Sequence, residues 1–206
     1  MHQTRQEMTP RLPLPRKGTK YVVRALSNHN ASVPVLIALR DMLHLARTRK
    51  EVQEMIKKKL LKINDRLVED PRESIQLYGV LEAGKRYHLT LSPTRKFVFE
   101  IDQEKSLRLC KIIGKRIVKG KKIQFNLHDG TNLLSKEQYA IGDSLYLDAE
   151  NKIKKHRALE KGADAAIIFG KYAGTKGKIT SIEQKKVKIT IEGRTTLLEQ
   201  RSIIVL

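Results

Sequence analysis

Apolar residues recur at helical spacing in only one part of this chain, near residues 34–58, and fall into short strand-like runs almost everywhere after it. That order excludes a parallel sheet built from alternating strands and helices, and it predicts an α+β chain of several small modules. The helix that matters most lies in Thr48–Arg66, TRKEVQEMIKKKLLKINDR. Thr48 and Glu51 fit a T-x-x-E start, in which the hydroxyl takes an orphan N–H and the glutamate reaches back to the cap. Val52, Met55 and Ile56 share one face, and Arg49, Lys50, Gln53 and Lys57 share another. Arg47 precedes the helix, Lys58, Lys59 and Lys62 follow it, and Arg66 closes the stretch. The apolar face fixes the helix to a partner. The basic face is either solvated or turned toward something anionic.

Ser32–Pro34 reads as the start of a first helix, with Val35, Leu36, Leu39, Met42 and Leu43 at helical spacing and an end near Leu45. The two helices and a tight step at Ala46-Arg47 make a helix–turn–helix pair. A small hairpin follows, with a strand at Leu60–Ile63, a turn at Asp65-Arg66, a strand at Leu67-Val68, a turn at Asp70-Pro71 and a strand at Ile75–Leu81. Before the pair, TPRLPLPRKGTKYVVR sets Pro10, Pro13 and Pro15 among Arg11, Arg16, Lys17, Lys20 and Arg24. This spacing favours an extended path, and residues 1–20 are expected to be extended or disordered in the free protein and to order on RNA.

From about Ala83 the pattern is β, with runs at Lys85–Leu91, Phe97–Ile101, Leu107–Ile113, Ile123–Leu127 and Ser144–Leu147. Asp129-Gly130 marks a hairpin. Lys115–Lys122, KRIVKGKK, reads as a basic loop or edge, and Asn151–Lys161 as a connector. The last stretch gives strands at Ala165–Phe169, Ile179–Ile182, Val187–Ile191, Thr195–Leu198 and Ile203–Leu206, which suggest a small barrel. Gly170, Gly174 and Gly177 punctuate a loop carrying Lys171, Lys176 and Lys178, where close backbone approach could bring the lysines near phosphates. Gly177 is expected in a tight loop that excludes a bulky side chain.

The net charge is +20 with a pI near 10.1. The basic excess appears in each of 1–30, 31–80, 81–160 and 161–206. A fold basic in every part repels itself until a polyanion neutralises it, and RNA or DNA is the default partner. An anionic membrane would call for an amphipathic helix with large apolar anchors, and none is evident. Cys110 is the lone cysteine, so no internal disulfide and no cysteine-based zinc site is expected, and the six histidines lack metal spacing. No cofactor and no small-molecule substrate are implied. The basic, proline-rich start lacks an apolar signal region, and no apolar run is long enough to span a bilayer, so a soluble cytoplasmic protein is expected.

The order of basic arm, helix-pair module, β domain and glycine-punctuated barrel resembles the archaeal and eukaryotic small-subunit ribosomal protein family S-four-e. The stretches that carry the resemblance are LPRKGTKYVVR, VPVLIALRDML, QFNLHDGTN at Gln124–Asn132, IGDSLYL at Ile141–Leu147 and ALEKGADAAIIFGKYAGTKGKI at Ala158–Ile179. It implies a basic N-terminal arm at 1–32, an αL-type RNA-binding module at 33–82, a central β domain at 83–162 and an SH3-like KOW barrel at 163–206. Departures from the pattern are Lys59 and Asp65, where the module usually has glycine, and Phe169, where a second glycine commonly precedes Gly170. The function implied is a structural constituent that binds small-subunit ribosomal RNA, with neighbouring ribosomal proteins as further partners.

Two other classes compete. An RNA-modifying enzyme could carry a helix-pair module, but a uridine-isomerising one needs a large α/β catalytic domain. About 120 residues of small β units remain here, and Asp129 in a hairpin turn needs no catalytic explanation. A transcription or assembly factor could use the barrel to touch protein. Shape rather than base sequence is the expected mode of RNA recognition, because few aromatics are available for stacking.

Overall fold

The computed structural model describes residues 2–101, 107–118, 120, 122–184, 186–191 and 193–206. It is mostly β, with few helices and several sheets, and every strand pairing among the described residues is antiparallel. The chain forms two compact units, Met1–Ser106 and Leu107–Leu206.

The first unit opens with β1 (His2–Thr4) paired to β2 (Tyr21–Val23), so the arm closes on itself. Leu12, Val22 and Ala25 are buried, and the Phe97 N–H donates to the Arg11 carbonyl. The expectation of an extended or disordered arm is therefore corrected. The proline spacing does not show that Leu12 has a pocket or that Thr4 and Tyr21 meet.

The expected helix start at Ser32–Pro34 is instead strand β3, paired with β6 (Ser74–Gln76). Ser32 is held in this strand, its hydroxyl donating to the Ser27 and Asn28 carbonyls at 3.0 and 2.9 Å, and the helix that follows has Pro34 at its N-cap with no side-chain cap. Helix α1 (Val35–Ile37) passes directly into a π-helical stretch at Ala38–Met42, which ends before His44 in the left-handed region. Helix α2 (Arg49–Lys57) follows. A five-stranded sheet then runs in the order β5-β4-β7-β8-β9, with β4 (Leu61–Ile63), β5 (Arg66–Leu67), β7 (Val80–Ala83), β8 (Lys85–Leu91) and β9 (Phe97–Ile101). The single strand expected at Ile75–Leu81 is broken in two by Tyr78, whose φ is +61°. β7 and β8 are hydrogen-bonded across the expected module boundary at 82/83, so β8 and β9 belong with the helix pair.

In the second unit, one sheet has the order β12-β11-β10-β13-β14. Its strands are β10 (Arg108–Val118), β11 (Lys122–Leu127), β12 (Asn132–Ser135), β13 (Ser144–Leu147) and β14 (Ile153–Arg157). The stretch expected as a basic loop or edge at Lys115–Lys122 is strand over Lys115–Val118, paired there with β11, and the expected connector contains β14. Lys119 and Lys121 lie outside the described residues. The other sheet has the order β18-β17-β16-β15-β19, with β15 (Asp164–Ile167), β16 (Lys176–Glu183), β17 (Lys186–Ile191), β18 (Arg194–Glu199) and β19 (Ile203–Val205). Among the described residues no pairing joins β18 to β19, so this sheet is an open ladder.

Each sheet of the second unit has its own apolar core. Cys110, Ile112, Phe125, Leu127, Leu145 and Leu147 fill one, and the other holds Ala165, Ile167, Ile179, Val187, Ile189 and Ile203. Polar staples join the sheets. The Lys111 ammonium donates to the carbonyls of Gln200 and Ile203 at 2.5 and 2.6 Å. The Val205 N–H donates to the Ser144 hydroxyl at 3.1 Å.

Candidate nucleic-acid interface

Thr48 begins α2 from an extended conformation, and its hydroxyl accepts from the Glu51 N–H at 3.3 Å. The Glu51 carboxylate accepts from the Thr48 hydroxyl at 2.9 Å and from the Arg47 N–H at 2.8 Å. These bonds, the Arg47 N–H first, hold the exposed Glu51 carboxyl below its usual range. Val52 is fully buried, while Met55 and Ile56 are half-buried. One stripe of the helix is thereby anchored, and Arg47, Arg49, Lys50 and Lys57 stay exposed.

The helix ends in a Schellman turn. The Lys59 N–H donates to the Ile56 carbonyl at 2.9 Å and the Leu60 N–H to the Met55 carbonyl at 3.1 Å. This turn places Lys59 in the left-handed region, φ +56°, where glycine is usual. Asp65 is also left-handed, φ +65°, in the turn between β4 and β5. Both departures from the glycine pattern therefore keep the backbone that glycine serves. Lys58 and Lys59 are exposed. Arg47, Arg49, Lys50, Lys57, Lys58 and Lys59 have no carboxylate at ion-pair distance among the described residues.

Lys62 and Arg66 stand differently. Lys62 lies 3.7 Å from Glu82, and Arg66 pairs with the buried Glu73 carboxylate. Glu73 also accepts from the Glu69 and Asp70 N–H groups at 2.7 and 3.1 Å, so Arg66 braces a turn.

In the arm, Arg16, Lys17 and Lys20 are exposed and Arg11 is half-buried, burial lowering its guanidinium pKa. Sequence reasoning missed Arg5, which organises this loop. Its guanidinium donates to the Pro15 carbonyl at 2.6 Å, the Thr19 carbonyl at 2.8 Å and the Thr19 hydroxyl at 2.9 Å. Nothing local signals a bond across fourteen residues of separation. Lys96 adds a second tie, its ammonium donating to the Pro10 carbonyl at 2.5 Å.

In the second unit, Lys171 is exposed beside Tyr172, its ammonium 5.8 Å from the ring centre. Gly170 and Gly174 are left-handed turn residues, φ +94° and +92°. Gly177 lies inside β16, where it carries no positive φ, so the expected tight loop is corrected to a close approach between strands. Lys176 and Lys178 flank it and are exposed two residues apart on one face. Gly130, φ +84°, sits in the hairpin turn between β11 and β12 as expected. Burial alone would raise the neighbouring Asp129 carboxyl. Arg108, 3.0 Å away, and the Thr131 N–H and hydroxyl outweigh burial and hold it below its usual range.

Residues 83–153 match the model of Ribosomal family S4e, and residues 161–192 match the KOW motif. Small ribosomal subunit protein eS4 from Methanospirillum hungatei is 33% identical over 92% of this chain and 82% of its own length. The protein of the same name from Archaeoglobus fulgidus is 30% identical over 94% of this chain and 86% of its own. The crystal structure of 30S ribosomal protein S4e from Thermoplasma acidophilum shares the fold, with a TM-score of 0.73 at 22% identity, covering 85% of this chain and 95% of that one. On the relatedness to the Methanospirillum protein along most of both chains, the chain belongs to the ribosomal protein family S4e.

Proposed function

We propose that the protein is a structural constituent of the small ribosomal subunit, working in cytoplasmic ribosomes by binding and bracing small-subunit ribosomal RNA. The observation that carries the mechanism is the basic surface around α2, with Arg47, Arg49, Lys50, Lys57, Lys58 and Lys59 exposed while Val52 anchors the helix. Cations held on a rigid element neutralise phosphates and release counterions without base-specific contacts. Arg16, Lys17 and Lys20 on the arm, and Lys171, Lys176 and Lys178 on a C-terminal SH3-like KOW module, act in the same way. Several linked modules on one folded RNA give avidity that no single module supplies. Neighbouring ribosomal proteins complete the environment of the subunit.

The role is read as non-catalytic. The strongest candidate acid, Asp129, is committed to Arg108 and Thr131 inside a turn. The test is sedimentation of the tagged full chain with small subunits in rising salt. A permanent constituent stays with the subunit after a high-salt wash. Release at moderate salt would favour a transient transcription or assembly factor.

A further inference from the structure

We propose that Tyr21 stacks on an unpaired nucleobase of the bound RNA, a role that rests on the RNA-binding reading above. In the β1–β2 ribbon, His2 is opposite Val23 and Thr4 opposite Tyr21. Directly paired residues share a face, so His2, Thr4, Tyr21 and Val23 lie on one side and Gln3 and Val22 on the other. Val22 is buried and fixes the inner side, while Tyr21 is 49% exposed and His2 is exposed. The two rings meet at an interplanar angle of 63° with centres 4.4 Å apart, forming an aromatic notch open to solvent. The Lys20 ammonium lies 5.3 Å from the Tyr21 ring centre. An aromatic ring beside a cation is the pairing that holds one base and its phosphate together.

The notch is also preorganised. The Arg5 N–H donates to the Lys20 carbonyl at 2.9 Å, and the Arg5 guanidinium grips Thr19. The Thr19 hydroxyl donates to the Tyr21 carbonyl at 3.2 Å. The backbone on both sides of Lys20 is thus fixed before any ligand arrives, which reduces the ordering cost of binding. Exposed Arg16 and Lys17 on the same closed loop supply phosphate contacts nearby. Counting aromatics along the chain makes stacking look minor, but the structure leaves Tyr21 half exposed beside the Lys20 ammonium.

The chain has no tryptophan, so Tyr21→Trp creates a single fluorescent reporter at the notch. Titrating the full-length variant with single-stranded oligoadenylate should quench this fluorescence. Inorganic polyphosphate, a polyanion without bases, should displace the oligonucleotide without quenching. Tyr21→Ala should weaken oligoadenylate binding by about 5- to 100-fold with an unchanged salt slope, and Tyr21→Phe should stay near wild type. Equal quenching by both polyanions overturns the proposal, as does a folded Tyr21→Ala that binds like wild type. Wild type that fails to bind oligoadenylate overturns it too. Sedimentation with small subunits tests the parent reading separately, so the two failures are distinguishable.

Discussion

Gly177 packs so closely on Ile189 that a Cβ at residue 177 would stand 2.6 Å from Ile189 Cγ2 and 2.6 Å from the Thr190 carbonyl oxygen. Contacts this short do not occur, and one of the two groups is backbone, so β16 and β17 would have to separate. Gly177→Ala should therefore destabilise the second unit by about 1–3 kcal/mol, an overpacking cost rather than a torsional one. Urea denaturation of wild type and variant checks this, and equal midpoints would contradict the close approach.

Lys111 makes the second unit pH-dependent in an unusual direction. It is 3% exposed, and burial pushes its pKa from 10.5 down to about 8, while the Gln200 and Ile203 carbonyls hold the ammonium charged at neutral pH. Between pH 8 and 10.5 the unfolded chain binds a proton that the folded chain has released. Raising the pH through that window therefore favours the folded state, by up to roughly 3 kcal/mol at its upper end. Denaturation midpoints of wild type and Lys111→Met across the window isolate this contribution. The wild type should gain stability relative to the variant as pH rises. A constant difference would show that burial does not perturb Lys111.

Lys59 holds a glycine's position with a lysine's charge. Removing the side chain relieves a left-handed conformation that costs an L-residue about 1 kcal/mol, so Lys59→Gly should stabilise the first unit by about that amount. The same change deletes one cation from the proposed RNA face and should flatten the salt dependence of RNA binding by roughly 0.7–0.9. A gain in stability together with a loss in salt slope is the signature expected. Stability that falls would mean the Schellman turn depends on the lysine side chain.

What the sequence disclosed follows the range of the interaction. The Thr48–Glu51 cap, the burial of Val52 and the strands Lys85–Leu91, Phe97–Ile101 and Ser144–Leu147 are set by residues a few positions apart, and each was legible. The closed arm and the staple between the C-terminal sheets depend on Arg5 meeting Thr19 and Lys111 meeting Gln200, partners that no local pattern identifies. The basic residues themselves were visible, but not that Glu73 engages Arg66 and Glu82 stands beside Lys62. Gly177 was singled out for the right restriction and placed in the wrong element, because a glycine in a run of lysines reads as a loop when its partner strand is unknown.

The salt dependence of binding tests the surface around α2 most directly. Arg47, Arg49 and Lys57 are exposed and have no carboxylate at ion-pair distance among the described residues, and the helix is held by Val52 and the Thr48–Glu51 cap instead. Arg47 contributes to that cap through its backbone N–H, which alanine retains. The triple variant Arg47→Ala, Arg49→Ala, Lys57→Ala should therefore stay folded, since exposed charges of this kind add little to stability. If the three cations meet phosphates, the plot of log affinity against log salt flattens by about 2–3 units, with loss across all RNA sequences alike. If they only keep the helix soluble, affinity and slope are unchanged. RNA affinity measured at several salt concentrations, with circular dichroism confirming the fold, decides between a phosphate-binding helix and a solvated one.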